Sequence, residues 1–163
     1  MGTDGRRDYT RSHPPMRIQT EGIPLLDVNV VMYAAGQEHP YKAPCQEILT
    51  QIARGHLTVA IDTEIIQEIL HRYGAQQRYK EAVQLATDLL TLVPLVYPVT
   101  VRDIHQAIEL FQRYALQGVR SRDVIHIAVM LNNGIREVIS TDKHFDVVQG
   151  IRRIDPMQLH GET

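Results

Sequence analysis

The sequence points to an α/β domain with a mostly parallel sheet flanked by helices, and three features of the chain lead there. From Ile23 onward, short apolar runs alternate with longer stretches of helical period, the pattern left by strands joined through crossover helices. Two of those runs, Pro24-Leu25-Leu26 and Val138-Ile139-Ser140-Thr141, are followed at once by an acid, Asp27 and Asp142, as at the carboxyl ends of parallel strands. A length of 163 residues suits one domain, and a fold of that size buries about two-thirds of its unfolded surface without a covalent staple.

The elements follow in order. Residues 1–22, opening MGTDGRRDYTRSHPP, show no apolar periodicity and read as a flexible leader, with Met16 a second candidate start and Arg6, Arg7, Arg11 and Arg17 as solvated charge. The domain proper is expected over 23–156 and a short tail over 157–163. Candidate strands are 23–26, 57–61, 95–99, 137–140 and a weak last one at 151–154. Helices are marked by apolar residues three and four apart: Cys45, Ile48, Leu49 and Ile52; Ile65, Ile66, Ile69 and Leu70, behind an Asp62 cap; and Leu85, Ala86, Leu89 and Leu90. Thr100 with Asp103 three residues on is a capping box, opening a helix whose expected buried stripe is Ile104, Ala107, Ile108 and Phe111 and which Gly118 stops. The next helix, 122–133 with Ser121 as its expected cap, is apolar around most of its circumference and should be packed on several sides.

Composition narrows the function. The single Cys45 cannot form an internal disulfide, which suits a reducing compartment. No long apolar run suggests a membrane span or signal peptide, so a cytoplasmic protein is expected. A formal charge of −2 argues against a surface coated in basic residues, so a polyanionic partner would be held by a local patch or through metal. The histidines, among them His39, His56, His71, His105, His126, His144 and His160, lack zinc-site spacing.

Four strand-to-helix junctions offer one acid each: Asp27, Glu68, Asp123 and Asp142. Singly, each has an ordinary role. Asp123 and Asp142 would complement a helix dipole for about 0.3–1 kcal/mol, and Glu68 would pair with Arg72 one turn later. Together, carboxylates converging at one sheet edge would repel one another, and a divalent cation compensates. Oxygen ligands favour Mg²⁺ or Mn²⁺, which accept a substrate phosphate, so phosphodiester hydrolysis is the chemistry such a set suggests.

These residues resemble the PIN domains, and in particular the VapC-type ribonuclease toxins of toxin–antitoxin pairs. The resemblance runs from about Ile23 to Pro156 and rests on Leu26-Asp27-Val28-Asn29, on Asp62-Thr63-Glu64-Ile65-Ile66-Gln67-Glu68, on Arg122-Asp123-Val124-Ile125-His126-Ile127-Ala128, and on Ser140-Thr141-Asp142-Lys143-His144-Phe145. It implies a three-layer sandwich and a Mg²⁺- or Mn²⁺-dependent endoribonuclease. It also implies Asp27, Glu68, Asp123 and Asp142 as metal ligands, with Glu64 competing for the place of Glu68. RNA as substrate, an antitoxin protein as partner and a homodimer are implied as well. His144 stands where many members carry a further acid, which leaves one or two metals open and Asp146 as a substitute.

Other residues invite roles. Asn29 reads as a helix N-cap or a holder of the active-site loop, and Ser140 as a donor to a site carboxylate or a strand end. His126 is either packed in the central helix or facing the cleft. Lys143, Arg120, Arg122, Arg152 and Arg153 would form the RNA-facing patch, and Tyr73, Tyr79 and Tyr114 are candidate base-stacking rings. Two other functions compete: an inactive PIN scaffold, and an acidic-pocket phosphatase that would want an acid where Asn29 stands.

Overall fold

The computed structural model of the protein describes residues 20–159. The leader arginines Arg6, Arg7, Arg11 and Arg17, the candidate start Met16, and His160 lie outside the described residues. Five strands, β1 (Leu25–Leu26), β2 (Ile61–Asp62), β3 (Val96–Tyr97), β4 (Glu137–Ile139) and β5 (Arg152–Ile154), alternate with six helices. The helices are α1 (Val28–Ala35), α2 (Lys42–Ala53), α3 (Thr63–Ala75), α4 (Tyr79–Leu92), α5 (Val101–Tyr114) and α6 (Ser121–Asn132).

All strand pairs are parallel: β1 with β4, β4 with β5, and β2 with β3. A single parallel bridge between Leu25 and Ala60, with Leu26 N donating to Ala60 O at 2.8 Å, joins the two groups in the order β3-β2-β1-β4-β5. The chain therefore moves outward from β1 to β3, then crosses to β4 on the other side. Such a reversal opens a crevice beyond the carboxyl ends of the two strands that flank it, here β1 and β4. The paired strands are shorter than expected from the apolar runs. Residues 57–59 do not pair, although Leu57 and Val59 are buried, and pairing continues instead through Asp62.

The core runs through both faces of this sheet. Leu25, Leu26, Ile61, Val138 and Ile139 fill its centre, Val30, Val31, Ile48 and Ile52 come from α1 and α2, and Ile65 and Ile69 from α3. As expected, α6 is the most enclosed helix, burying Val124, Ile127, Ala128, Val129 and Met130. Its cap differs from the expectation: Arg120 precedes the helix in extended conformation and Ser121 is its first residue.

The capping box of Thr100 and Asp103 is present, but the buried face of α5 is not the stripe expected. Asp103, Ala107, Leu110 and Tyr114 point inward, whereas Ile104, Ile108 and Phe111 lie outward beside Val101. The reason is polar. Asp103 Oδ2 accepts from Thr100 N at 2.8 Å, and its Oδ1 accepts from Asn132 Nδ2 of α6 at 2.7 Å. This two-sided bond fixes the rotation of α5 on α6 and turns its apolar stripe away. Leu70 of α3 and Leu90 of α4 are likewise exposed.

Truncating Ile127 to Ala, in the middle of α6 and without exposure, should lower the unfolding free energy by about 2–5 kcal/mol. The urea midpoint would drop with an unchanged slope; a loss below about 0.5 kcal/mol would mean that α6 is not the packed centre.

Candidate active site

Asp27 leaves β1 and serves as the N-cap of α1, its Oδ1 accepting from Val28 N at 2.8 Å. Its Oδ2 accepts from Ser140 Oγ at 2.6 Å and from Asn29 Nδ2 at 3.0 Å. Ser140 Oγ in turn accepts from Asp142 N at 2.9 Å, while Asn29 Oδ1 accepts from Thr141 N at 3.3 Å. Asn29 is therefore not a cap. It and Ser140 lace the loop after β1 to the loop after β4, holding Asp27 and Asp142 at a common edge.

The third and fourth acids come from helices. Glu68, in the second turn of α3, is buried, and its Oε1 accepts from Arg72 Nη2 at 3.0 Å and lies 3.5 Å from Arg122 Nη1. Asp123, in the first turn of α6, accepts from Arg120 N at 3.0 Å. All four acids line one cleft of about 200 Å³, together with Arg72, Arg120 and Arg122. Glu64 is only half-buried and lies outside that lining.

The cleft acids fall into two groups, each joined by a histidine from outside the lining and with ligand atoms within 4.8 Å: Asp27, Glu68 and His126, all buried, and Asp123, Asp142 and His144, half-buried. His144 joins the outer group by the turn at Lys143–Val147, where Asp142 Oδ1 accepts from His144 N at 2.9 Å. Gly118 allows that position: its φ is +92°, and a Cβ there would stand 3.3 Å from the His144 ring. Asp146 is held elsewhere, accepting from Arg153 Nε at 2.8 Å and from its Nη2 at 3.0 Å.

His126 is what the sequence left open. It is packed behind the cleft lining, with Nδ1 donating to Asp62 Oδ2 at 2.6 Å and Nε2 3.5 Å from Glu68 Oε2. Asp62 is itself without exposure, and its Oδ1 caps α3 through Ile65 N at 3.1 Å. The DxxH spacing of Asp123 and His126, one helical turn, was the available signal.

Burial sets the electrostatics. It pushes the Asp27 carboxyl up to about 6, even though His126 and the Ser140 hydroxyl pull the other way. Burial, helped by neighbouring Asp142, also raises Asp123. For Glu68 burial is outweighed by the contacts with His126, Arg72 and Arg122, which hold it below its ordinary value. For His126 burial alone would favour the neutral ring, but Asp62, Glu68 and Asp27 reverse this and raise its pKa well above 6.5. His126 is thus a buried cation between acids.

The basic residues divide. Arg120 and Arg122 line the cleft with Arg72, and Lys143 is exposed nearby. Arg152 is paired with Glu137, and Arg153 with Asp146 and Asp155. The tyrosines named as stacking candidates lie outside the cleft lining: Tyr73 is buried beneath Arg78, and Tyr114 is buried with its hydroxyl accepting from Gln149 N. Tyr33 and His39 line a hollow beside the cleft, with Tyr41 against both rings, and sequence reasoning gave none of the three a place there.

A family model described as PIN domain matches residues 25–151. The chain is 38% identical over 131 residues to the ribonuclease VapC13 of Mycobacterium tuberculosis, which covers 80% of this chain and 98% of that relative. Among solved structures, the Mycobacterium tuberculosis VapC20, titled a sarcin–ricin loop cleaving toxin, aligns with a TM-score of 0.62 at 18% identity, covering 73% of this chain and 89% of that one. A toxin–antitoxin complex from Klebsiella pneumoniae aligns with a TM-score of 0.57 at 15% identity, covering 82% and 97%. These likenesses in structure show the fold.

Stability should follow the charges. Because the folded pKa of Asp27 is raised above its unfolded value, the native state holds that proton more tightly, and this contribution is lost as pH rises from about 4 to about 6. His126 acts in the same direction, its stabilisation complete below 6.5 and lost only as pH rises through its raised folded value. Glu68, lowered, supplies stability above its ordinary range that is lost on acidification. Metal-free protein should therefore be most stable near pH 4–5, where Glu68 is ionised and Asp27 still holds its proton. Asp27→Asn should gain on wild type by about 1–3 kcal/mol between pH 5 and pH 7.5 in chelator. Equal pH profiles for the two proteins in thermal melts would refute the buried charge at Asp27.

Proposed function

The chain belongs to the PIN-domain family, and on that footing we propose that it is a metal-dependent endoribonuclease acting in the cytoplasm as the toxin of a toxin–antitoxin pair. The observation that supports this is the gathering of Asp27, Glu68, Asp123 and Asp142 in one cleft at the point where the strand order reverses. The relative at 38% identity is named a ribonuclease, and the aligned complex is titled toxin–antitoxin. No helix among the described residues is long and apolar enough to cross a membrane.

The donor set fits a hard divalent cation: oxygens predominate, Asp27 and Asp123 are crowded enough that burial and like charge raise them, and the outer group has no buried cation of its own. In this reading Asp27, Glu68, Asp123 and Asp142 would hold the metal. Mg²⁺ or Mn²⁺ there supplies Lewis acidity, lowering the pKa of water and polarising the phosphodiester. The chain's own residues do the rest. Ser140 and Asn29 keep Asp27 aimed; His126 and Arg72 fix the rotamer of Glu68; Arg120 and Arg122 draw the RNA phosphates toward acids that would otherwise repel them. His144 adds an imidazole to the outer group, a nitrogen donor that Mn²⁺ accepts more readily than Mg²⁺.

The partners fit the same reading. An antitoxin protein would silence the enzyme, and the outward apolar stripe of α5 is the face we assign to a homodimer.

End-labelled structured RNA incubated with the protein in Mg²⁺, Mn²⁺ or chelator should be cut only with metal, and Asp27→Asn or Asp123→Asn should lower the rate by at least about 100-fold. Persistent cleavage in both variants would sink the four-acid site. In thermal melts without RNA, Mn²⁺ at 100 times its Kd should add about 2.7 kcal/mol, more than Mg²⁺ at equal concentration. His144→Ala should bring the two ions together, and Asp123→Asn should remove the response to both. An inactive scaffold would show no metal response at all.

A further inference from the structure

The acidic cleft does not end at the acids. A second, larger hollow of about 600 Å³ continues from it between α1 and the turn before α2, and the two share Asn29, Arg72, Arg120 and Asp142 in their walls. At its far side stand Tyr33, from the last turn of α1, and His39, from the connecting loop. A ligand hollow of this size is in the range that encloses a nucleotide.

The far wall is an aromatic step. The rings of Tyr33 and His39 lie 4.5 Å apart between centroids, and His39 is stacked on Tyr41 at 5.8 Å with 8° between planes. His39 is exposed, yet it is not free to turn, because its Nδ1 accepts from Tyr41 N at 3.1 Å. Tyr41 is pinned from behind, its hydroxyl donating to Asp155 Oδ2 at 3.1 Å. An exposed ring held rigid in this way costs little entropy when a planar ligand covers it. Charge is arranged to match. Arg72 and Arg120 stand on the side toward the acids, while Glu38, on the far side, is exposed and pairs with Lys42 at 3.4 Å. A chain of phosphates would pass along the arginines, and its base would fall on the rings.

We propose that this hollow is a nucleotide subsite, in which the base of an unpaired ribonucleotide next to the scissile phosphate stacks on His39 and Tyr33 while Arg120 and Arg72 take its phosphate. The proposal rests on the ribonuclease reading for its polymer. A base can reach the step only when splayed out of a helix, since paired bases present no open face. Arg72, already committed to Glu68 at 3.0 Å, links the filling of the subsite to the position of a cleft acid.

The test separates base from backbone. A fluorescein-labelled hexaribonucleotide and the same hexamer with abasic ribose throughout carry equal charge, and both are titrated with the full-length protein in chelator, where nothing is cut. Stacking on one base is worth about 1–3 kcal/mol, so wild type should bind the hexamer with bases roughly tenfold more tightly. His39→Ala, a change at an exposed position, should reduce that preference to about threefold or less without altering affinity for the abasic strand. Tyr33→Leu, which keeps apolar bulk in α1, should act in the same direction. Arg120→Gln should weaken both strands alike. Equal binding of the two strands by wild type, or a full preference in His39→Ala, overturns the subsite. Cleavage in Mn²⁺ is scored separately: RNA cut without base preference refutes the subsite alone, and base preference without cleavage refutes the nuclease reading and leaves the subsite standing.

Discussion

The site depends on one buried chain of charge that runs from Asp62 through His126 to Glu68. Its ends are fixed in different elements: Asp62 closes β2 and caps α3, His126 belongs to α6, and Glu68 lies on α3 facing back into the cleft. An imidazolium with almost no exposure would be costly alone, and so would each carboxylate. Together they satisfy one another, and the bond of 2.6 Å from His126 to Asp62 leaves the second ring nitrogen directed at Glu68. This locks α6 against α3 in one rotation. Because Asp123 stands one turn before His126 on the same helix, the lock also sets where Asp123 emerges.

A second lacing is neutral rather than charged. Asn29 and Ser140 connect the loops beyond β1 and β4 with three hydrogen bonds, and a fourth ties Asn29 back to Asp27. The parallel pairing of these two strands brings the loops side by side, and the reversal of strand order keeps any other strand from filling the gap. The result is a cleft that concentrates negative charge in a partly dry setting. Such an arrangement is less stable empty than a neutral one would be, and that deficit becomes affinity for a cation.

Around this cleft the basic residues are split by their partners. Arg152 and Arg153 serve the strands, tying β5 to Glu137, Asp146 and Asp155, whereas Arg72, Arg120 and Arg122 stand at the acids. A chain of formal charge −2 can therefore present a positive rim locally. The rigid rings at Tyr33, His39 and Tyr41 extend that rim with a surface for a flat ligand.

Much of this was readable from residue order. The α/β alternation, the Asp62 cap, the box at Thr100 and the convergence of four acids all follow from local rules, since a strand followed by an acid projects it at the sheet's carboxyl edge whatever surrounds it. Glu64 lies one turn before Glu68 on the same helix, and it is folding that puts Glu68 in the cleft lining. Residues whose role comes from a partner far along the chain were not readable. Asn29 and Ser140 meet across 111 positions, and His126 and Asp62 across 64. The inward turn of Asp103, which reverses the face of α5, depends on Asn132 of a different helix. Periodicity reports which side of a helix is apolar, not which side a buried hydrogen bond will claim, and His39 reads as an ordinary loop residue until folding seats it beside Tyr33 and Tyr41. Local chemistry thus chose the elements and the acids, while packing fixed their rotation, their charge and the rings that stand beside them.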